Sequence, residues 1–139
     1  SSNLFPSICN VASGINKSLD IFGNNWPTKD GTPVRDYIHI LDLAEAHLIS
    51  LKFLLKNKNE FNIFNVGRGE GTTVLELVDI FQKVNKIKIN YIFKDKREGD
   101  AEILMANTSL FKSTFNWTPS RNVFDMCRDG WEWILKNKN

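Results

Sequence analysis

The segment from residue 30 to residue 47, which reads DGTPVRDYIHILDLAEAH, constrains the fold more than any other part of this sequence. Gly31 and Pro33 predict a turn at its start. The residues that follow alternate between two faces, as in a β-strand, and one face carries Arg35, Tyr37 and His39. The other face carries Val34, Asp36, Ile38 and Ile40. The segment therefore predicts a strand that follows a tight turn.

The end of the same segment predicts the start of a helix. Asp42 and Glu45 have the spacing of a capping box and precede an apolar periodic run. We expect the helix to extend from Leu43 to about Leu55 with one apolar stripe, made of Ala44, Leu48, Leu51 and Leu55. His47 lies beside this stripe, where a packing role is expected. The succession of strand and helix favours an α/β fold class.

Arg35 is the chemically most informative residue of this segment. It lies near the start of the predicted strand, on the same face as Tyr37. A guanidinium held in this way is suited to a phosphate group, which it can meet with two parallel hydrogen bonds. The alternative from spacing alone is a surface arginine paired with a nearby carboxylate.

The residues of several motifs resemble those of one family of enzymes. These motifs are DGTPVRDYIH at 30–39, followed by two hydrophobic residues and Asp-Leu-Ala, then DIFGNNWPT at 20–28, REGD at 97–100 and WEW at 131–133. Together they resemble the UDP-glucose 4-epimerases, which are extended short-chain dehydrogenases/reductases. The resemblance covers essentially the whole sequence but only the C-terminal portion of the family.

The resemblance implies a set of substrate-binding residues. The positions that match the family's UDP-sugar contacts are Asn3, Leu4, Phe22, Arg35, Arg97, Asp100 and Leu104. In the family the two arginines and the asparagine hold the diphosphate, with leucine backbone nearby, and the aspartate holds the ribose. The phenylalanine packs on the uracil ring, and the residue at the position of Leu104 lies beside carbon 2 of the sugar.

Each of these residues also has a plain structural interpretation. Asn3 could simply enter a helix, Phe22 could be a core residue, and Leu104 could pack in the apolar piece from 103 to 105. Arg97 and Asp100 could belong to an ordinary charged turn. The sequence leaves these alternatives open.

The resemblance also implies a reaction that this sequence cannot complete alone. The family inverts carbon 4 of UDP-glucose and UDP-galactose, with a Tyr-x-x-x-Lys pair and NAD that takes and returns a hydride. Here Tyr37 is followed four residues later by Leu41, and Tyr91 by Asp95. We therefore expect no catalytic and no cofactor-binding residue, and no activity of the chain alone.

The resemblance further implies that residues 1–139 form the C-terminal UDP-sugar-binding region of a longer chain. The N-terminal NAD-binding domain, with most of the Rossmann sheet, would be absent, and the full-length enzyme would be a homodimer. Two alternatives stay open. One is a sister sugar-nucleotide epimerase, decarboxylase or dehydratase, and the other is a stand-alone UDP-sugar-binding or interaction module without catalysis.

A glycine-rich segment could be mistaken for a dinucleotide-binding fingerprint. Gly67, Gly69 and Gly71 follow a predicted strand at Phe61–Val66 and precede a helix. However, Thr72 occupies the place of the last required glycine. Thr73 and Glu76 form a capping box, so the segment is interpreted as a strand-to-helix turn. We expect the strand at 61–66 to join a sheet whose other strands lie outside this sequence.

Composition excludes several other classes of function. The net charge of +2 and the interleaving of lysines with Asn, Asp and apolar residues argue against nucleic-acid binding. No apolar run approaches the roughly 18 residues of a membrane span. Cys9 and Cys127 lie in apolar helical patterns, which favours buried thiols and a reducing, cytoplasmic location. Without a Cys/His cluster, no metal site is expected.

The remaining elements are predicted from periodicity. Helices are expected from about Pro6 to Gly14, from Val74 to Val84, briefly after a cap at Thr108 or Ser109, and after a cap at Ser120. The helix from Val74 to Val84 would bury Val74, Leu77, Val78 and Phe81. The last helix would bury Val123, Phe124, Cys127, Trp131 and Ile134. Extended pieces are expected at Leu19–Gly23 and Ile87–Phe93, with a loop from Lys94 to Asp100.

Overall fold

A computed structural model describes residues 3–57 and 61–137 of the chain as a mixed α/β fold, which confirms the predicted fold class. The helices are α1 (Leu4–Ala12), α2 (Ile40–Lys56), α3 (Val74–Asn85), α4 (Ser109–Phe115) and α5 (Val123–Lys136). The strands are β1 (Leu19–Phe22), β2 (Val34–Asp36), β3 (Gly71–Thr73), β4 (Tyr91–Lys94) and β5 (Ile103–Leu104).

The strands form two small sheets. In the first, β1 pairs with β4 in parallel, with Leu19 opposite Tyr91 and Phe22 opposite Lys94. In the second, β2 lies in the centre, antiparallel to β3 and parallel to β5. The parallel register places Arg35 opposite Leu104. Because paired residues point to the same face of a sheet, this register brings these two predicted site residues together.

The core lies where α3 packs against α5, with α1 and β1 beside them. Phe81 is fully buried, and its ring makes edge contacts with the rings of Phe5 and Trp131. Cys9 and Cys127 are also buried free thiols, as predicted. Burial raises the pKa of Cys9 to about 11 and that of Cys127 to about 12.

Helix α3 follows the prediction closely. Thr73 and Glu76 form the expected capping box, and the buried residues are the predicted four, Val74, Leu77, Val78 and Phe81. The first helix also ends as expected, because α1 stops at Ala12 and Gly14 takes a positive φ of 75°. Its start is two residues earlier than predicted, since Pro6 fits within the first turn.

The predicted strand from Val34 to Ile40 is wrong in its second half. Strand β2 ends at Asp36, and His39 is the N-cap of α2, with its Nδ1 accepting a hydrogen bond from the Leu41 amide. The predicted capping box of Asp42 and Glu45 is also wrong, because α2 begins before it. The cap is a ring nitrogen of His39, which accepts from an amide two residues later in the chain. The sequence spacing had suggested a carboxylate cap instead.

Helix α2 presents much of its apolar surface to the exterior of the described chain. Of the predicted stripe, Leu48, Leu51 and Leu55 are at least half exposed, and the buried residues of α2 are instead Asp42 and Ala46. The stripe is therefore present in the helix but does not form part of this core. Apolar surface of this extent is typical of a contact with another body of protein.

The segment at 61–66 has no strand pairing in the part of the chain that the structure describes, so the predicted strand is not formed there. Phe61 and Ile63 are largely exposed, while the ring of Phe64 packs against Phe111 and Phe115. A strand requires a neighbour for its backbone hydrogen bonds, and no described strand lies beside this segment.

One of the two helix caps near the C-terminus differs from the prediction. Asn122, and not Ser120, caps α5, in a capping box with Asp125. Phe124 is 51% exposed and lies off the buried face of this helix. Thr108 is the N-cap of α4, one of the two predicted positions, but it makes no side-chain cap hydrogen bond. The Asn107 side chain accepts from the Ser109 amide.

Candidate ligand-binding cleft

An open cleft of about 1590 Å³ lies between α1, β1, the segment 33–41 and α5. Its lining includes every residue that the sequence had assigned to substrate binding, namely Asn3, Leu4, Phe22, Arg35, Arg97, Asp100 and Leu104. These residues come from five separate parts of the chain. The fold therefore gathers into one cavity residues that are up to a hundred positions apart in sequence.

Arg35 is held in place by the backbone around it. Its Nη1 donates to the carbonyl oxygen of Val34 at 2.8 Å and to that of Ala101 at 2.9 Å. Those two bonds use both hydrogens of one terminal nitrogen, which leaves Nε and Nη2 for a ligand. The same two bonds hold the half-buried side chain in position before a ligand arrives. A prepositioned guanidinium loses little entropy when it binds a phosphate.

Arg97 and Asp100 form a bidentate pair in the loop that follows β4. The distances are 3.0 Å from Nε to Oδ2 and 3.3 Å from Nη2 to Oδ1. The guanidinium also lies over the ring of Phe22, with Cζ 4.5 Å from the ring centroid. The pair leaves the Nη1 hydrogens and one Nη2 hydrogen of Arg97 directed away from the carboxylate.

The contact between Arg97 and Phe22 has a consequence for the predicted stacking of a base on Phe22. One face of this ring is already covered by the guanidinium, as a cation–π contact. A planar base would therefore meet the other face or the edge of the ring. The structure thus brings Phe22, the residue predicted to pack on a base, into direct contact with Arg97, the residue predicted to bind a phosphate.

Asn3 and Leu4 bring the start of α1 to the cleft. Asn3 is the N-cap of this helix, and its carbonyl oxygen accepts from the Ser7 amide at 3.3 Å and from the Ser7 hydroxyl at 2.8 Å. The amides of the first helical turn point towards the N-terminal end, where they carry partial positive charge. The start of α1 and the two arginines therefore favour an anionic ligand in the same cleft.

The aspartates of the 30–47 segment have structural roles that the sequence did not indicate. Asp30 accepts from the amide and hydroxyl of Thr32 and from the Thr73 hydroxyl. Burial would raise the pKa of Asp30, but these hydrogen bonds outweigh it and lower the pKa below its usual value. Asp30 thereby ties the turn before β2 to the start of α3.

Asp42 has a similar role at the start of α2. Its fully buried carboxylate accepts from the Ser120 hydroxyl at 3.3 Å and the Arg121 amide at 3.0 Å, and it pairs with the Arg121 guanidinium. Burial alone would raise the pKa of Asp42, but the bonds from Arg121 and Ser120 lower it. Asp42 thus attaches α2 to the segment that precedes α5.

The glycine-rich turn is filled by protein atoms. The carboxylate of Asp36 accepts from the amides of Arg68 and Gly69, both at 2.9 Å, and from the Ala106 amide at 3.3 Å. A Cβ on Gly67 would lie 2.8 Å from the Ala106 side chain, so glycine is needed there for close packing. This geometry supports the interpretation of the segment as a turn and leaves no phosphate cradle in it.

Tyr37 is a cleft residue to which the sequence analysis assigned no role. It lines the cavity, and its buried hydroxyl has no hydrogen-bond partner among the described residues. Burial raises the pKa of Tyr37 to about 12, although the charge of Arg35 acts in the opposite direction. Its position two residues after Arg35 was the available signal in the sequence, but burial of the hydroxyl depends on the tertiary packing.

Two kinds of feature are absent from the described part of the chain. Residues 3–57 and 61–137 contain no group of three or more His, Cys, Asp or Glu side chains that could hold a metal ion. In the same residues, no helix has the length and apolar character needed to cross a membrane.

Known proteins that are similar to this chain include enzymes named for nucleotide-sugar substrates. The family profile described as GDP-mannose 4,6 dehydratase matches residues 1–130. Curated relatives include UDP-glucose 4-epimerase 4 of Oryza sativa, 45% identical over 97% of this chain, and UDP-glucose 4-epimerase of Bacillus subtilis, 42% identical over 99% of it. The chain spans only 37% and 40% of the length of these two relatives.

Solved structures agree with the curated relatives. The chain superposes with a TM-score of 0.92 on UDP-glucose-4-epimerase from Stenotrophomonas maltophila, which holds NAD and formylated UDP-arabinopyranose. The identity is 38%, and the match covers 98% of this chain and 40% of the other. A second structure, from Bifidobacterium longum in complex with NAD+ and UDP, gives a TM-score of 0.89 at 32% identity, over 100% of this chain and 41% of the other.

Proposed function

The chain belongs to the protein family described as GDP-mannose 4,6 dehydratase, and from this premise we propose that its cleft binds the UDP portion of a UDP-sugar. The corresponding full-length protein is proposed to be a UDP-glucose 4-epimerase, with this chain as its C-terminal substrate-binding part. The names of the relatives support this reaction over that of a sister enzyme or a module without catalysis.

The arrangement of Arg35 and Arg97 is the observation that carries the proposal. Both guanidiniums line the same cleft, and each is held by protein oxygens on one side only. Their remaining donors suit the oxygens of a diphosphate, and Phe22 lies directly beside Arg97 for a base. The partial positive charge at the start of α1 adds to this preference for an anion.

A strong hold on UDP also fits the chemistry of epimerisation. The sugar must turn over between the two halves of the reaction, so its own contacts cannot be tight. Binding energy must then come from the remote nucleotide, which keeps the intermediate from leaving. Charge-assisted hydrogen bonds to phosphate contribute about 1.5–3 kcal/mol each, which is enough for this role.

NAD is the proposed cofactor of the full-length protein, as in the relatives that contain it, where it would accept and return a hydride. We do not assign the glycine-rich turn to NAD, because Asp36 and Ala106 fill it. We therefore assign NAD binding mainly to a part of the protein outside this chain. The exposed apolar surface of α2 would contact that part.

Two further properties belong to the same proposal. The full-length enzyme is proposed to be a homodimer, by analogy with the family that the sequence resembles. A cytoplasmic location is supported by the two buried free thiols, Cys9 and Cys127, which suit a reducing compartment.

A titration with UDP and UMP tests the proposed function in the full-length protein. We expect UDP to bind more tightly than UMP by about 1.5–3 kcal/mol, because the second phosphate gains charge-assisted bonds from the cleft. Isothermal calorimetry of both nucleotides under the same buffer conditions gives the comparison. Equal affinities for UDP and UMP would contradict a cleft built around a diphosphate.

The chain by itself is expected to show no epimerase activity when it is supplied with NAD and UDP-galactose. Neither tyrosine is followed by a lysine four residues later, and the glycine-rich turn is filled by the Asp36 carboxylate. The assay requires protein prepared from a host that lacks its own epimerase. Turnover above the buffer background would show that this chain contains catalytic residues that we have not assigned.

Leu104 is expected to influence which sugar the full-length enzyme accepts. Its side chain is 57% exposed in the cleft and lies opposite Arg35 in the sheet register. Leucine is bulkier than serine but lacks the ring and hydroxyl of tyrosine. Overpacking costs typically about 1–3 kcal/mol, so we expect a preference for UDP-glucose over the N-acetylated sugar of roughly ten- to a hundredfold.

Two substitutions of Leu104 test this expectation against its role as an ordinary packing residue. Leu104→Ser should reduce the preference, and Leu104→Tyr should increase it. The quantity to compare is the ratio of kcat/KM for the plain and N-acetylated substrates in the three proteins. A ratio that stays the same in all three would exclude Leu104 as the residue that selects the sugar.

A further inference from the structure

His39 lies at the junction between the cleft and α2, and both of its ring nitrogens are engaged. The side chain is only 4% exposed. Nδ1 accepts a hydrogen bond from the Leu41 amide at 3.1 Å, so the proton of the neutral ring is on Nε2. Nε2 lies 3.2 Å from Oδ2 of Asp129 on α5 and donates to it. One side chain therefore caps α2 and contacts α5.

Asp129 is itself held by its neighbours on α5. Its other oxygen accepts from Nε of Arg128 at 2.8 Å, and Nη2 of Arg128 donates to Asp125 at 2.9 Å. Asp125 in turn belongs to the capping box at the start of α5. A continuous series of polar contacts thus joins the start of α2 to the start of α5.

We propose that His39, through its bond to Asp129, is a positioning residue that sets the width of the ligand-binding cleft. His39 and Asp129 both line the cleft, and they join the segment that carries Arg35 and Tyr37 to α5. On its other side this segment is attached through Asp36 to the glycine-rich turn. This inference rests on the proposed function, because cleft geometry matters only where a ligand is bound.

The two functions of the imidazole can be separated by substitution. The amide oxygen of asparagine can take the place of Nδ1, so His39→Asn keeps the helix cap and loses the bond to Asp129. The longer glutamine places its amide nitrogen near the position of Nε2, so His39→Gln keeps a donor for Asp129 and loses the cap. A positioning role predicts opposite results for these two variants in binding and in stability.

The test measures the affinity of the full-length protein for UDP by calorimetry, together with Tm. For His39→Asn we expect an affinity about tenfold weaker at nearly unchanged Tm, because a small displacement of a binding group has a large effect. For His39→Gln we expect an affinity within about threefold of wild type and a lower Tm. The reverse pattern, with weaker binding only in His39→Gln, would show that His39 is simply a helix cap.

A second comparison keeps the inference testable if one variant fails to fold. Asp129→Ala should weaken UDP binding by about as much as His39→Asn, and the double variant should be no weaker than either single variant. Additive losses would overturn the coupling between the two residues. Absence of UDP binding by the wild-type protein would instead reject the proposed function, so the two failures can be told apart.

Discussion

Arg35→Ala and Arg97→Ala are each expected to weaken UDP binding to the full-length protein by about 2–4 kcal/mol, the scale for removing one partner of a charged hydrogen bond. Each substitution leaves a phosphate charge without its guanidinium. Arg97→Ala also leaves the Asp100 carboxylate, which is 18% exposed, without its bidentate partner in the cleft. We therefore expect Arg97→Ala to have the larger effect, because the bare carboxylate repels the diphosphate.

The matched control for these variants is Lys83→Ala. Lys83 is an exposed cation on α3 that does not line the cleft, so its removal changes the net charge by the same amount. Calorimetric titration with UDP at a fixed salt concentration compares all the proteins, since surface charge effects are screened by salt. Unchanged affinity in both arginine variants would remove them from the site.

Substitution of lysine for either arginine separates the contribution of guanidinium geometry to UDP affinity from that of positive charge. Arg35 uses one terminal nitrogen for two backbone carbonyls and presents the rest of its planar group to the cleft. A lysine ammonium keeps the charge but cannot make both sets of contacts. We expect Arg35→Lys to recover only part of the affinity that Arg35→Ala loses.

The largest effect on stability is expected for Phe81→Ala, which should lower the free energy of unfolding by about 3–5 kcal/mol. Phe81 is fully buried between α1 and α5, with ring centroids 6.0 Å from Phe5 and 5.8 Å from Trp131. The substitution removes the ring from the junction of three helices and leaves a cavity that rigid neighbours cannot fill.

Urea denaturation of wild type and variant gives this free-energy difference. Leu110→Ala serves as the control, because Leu110 is 58% exposed on α4 and its truncation should change stability by no more than about 0.5 kcal/mol. A small loss for Phe81→Ala, similar to that of the control, would mean that the core is not centred on Phe81.

Local patterns in the sequence determined the elements that depend on their own residues. The buried face of α3 and its capping box were predicted residue by residue, because the cap and the helical period both act within a few positions. The stop of α1 at Gly14 has the same local character. The motifs also indicated seven site residues, and the fold brings all of them to one cleft.

Only the tertiary structure decided the partners that are distant in sequence. Asp42 has the spacing of a capping residue, but its carboxylate is buried against Arg121, and His39 caps α2 instead. Nothing near Arg35 in sequence predicts its bond to the carbonyl of Ala101, and nothing near His39 predicts Asp129. A polar group takes whichever partner satisfies it best once burial removes water, and that partner is known only when the chain has folded.

Local sequence and tertiary structure also have separate effects on the exposed stripe of α2 and on the unpaired segment at 61–66. The periodicity of α2 indicates its helix and apolar stripe, since apolar spacing is a property of the local sequence, whereas the strand predicted at 61–66 is not formed within the described residues. Whether such a face is buried depends on what packs against it, and Leu48, Leu51 and Leu55 are exposed because no described element covers them. The sequence thus determined which surfaces need a partner, whereas the tertiary structure decided which of them find one within this chain.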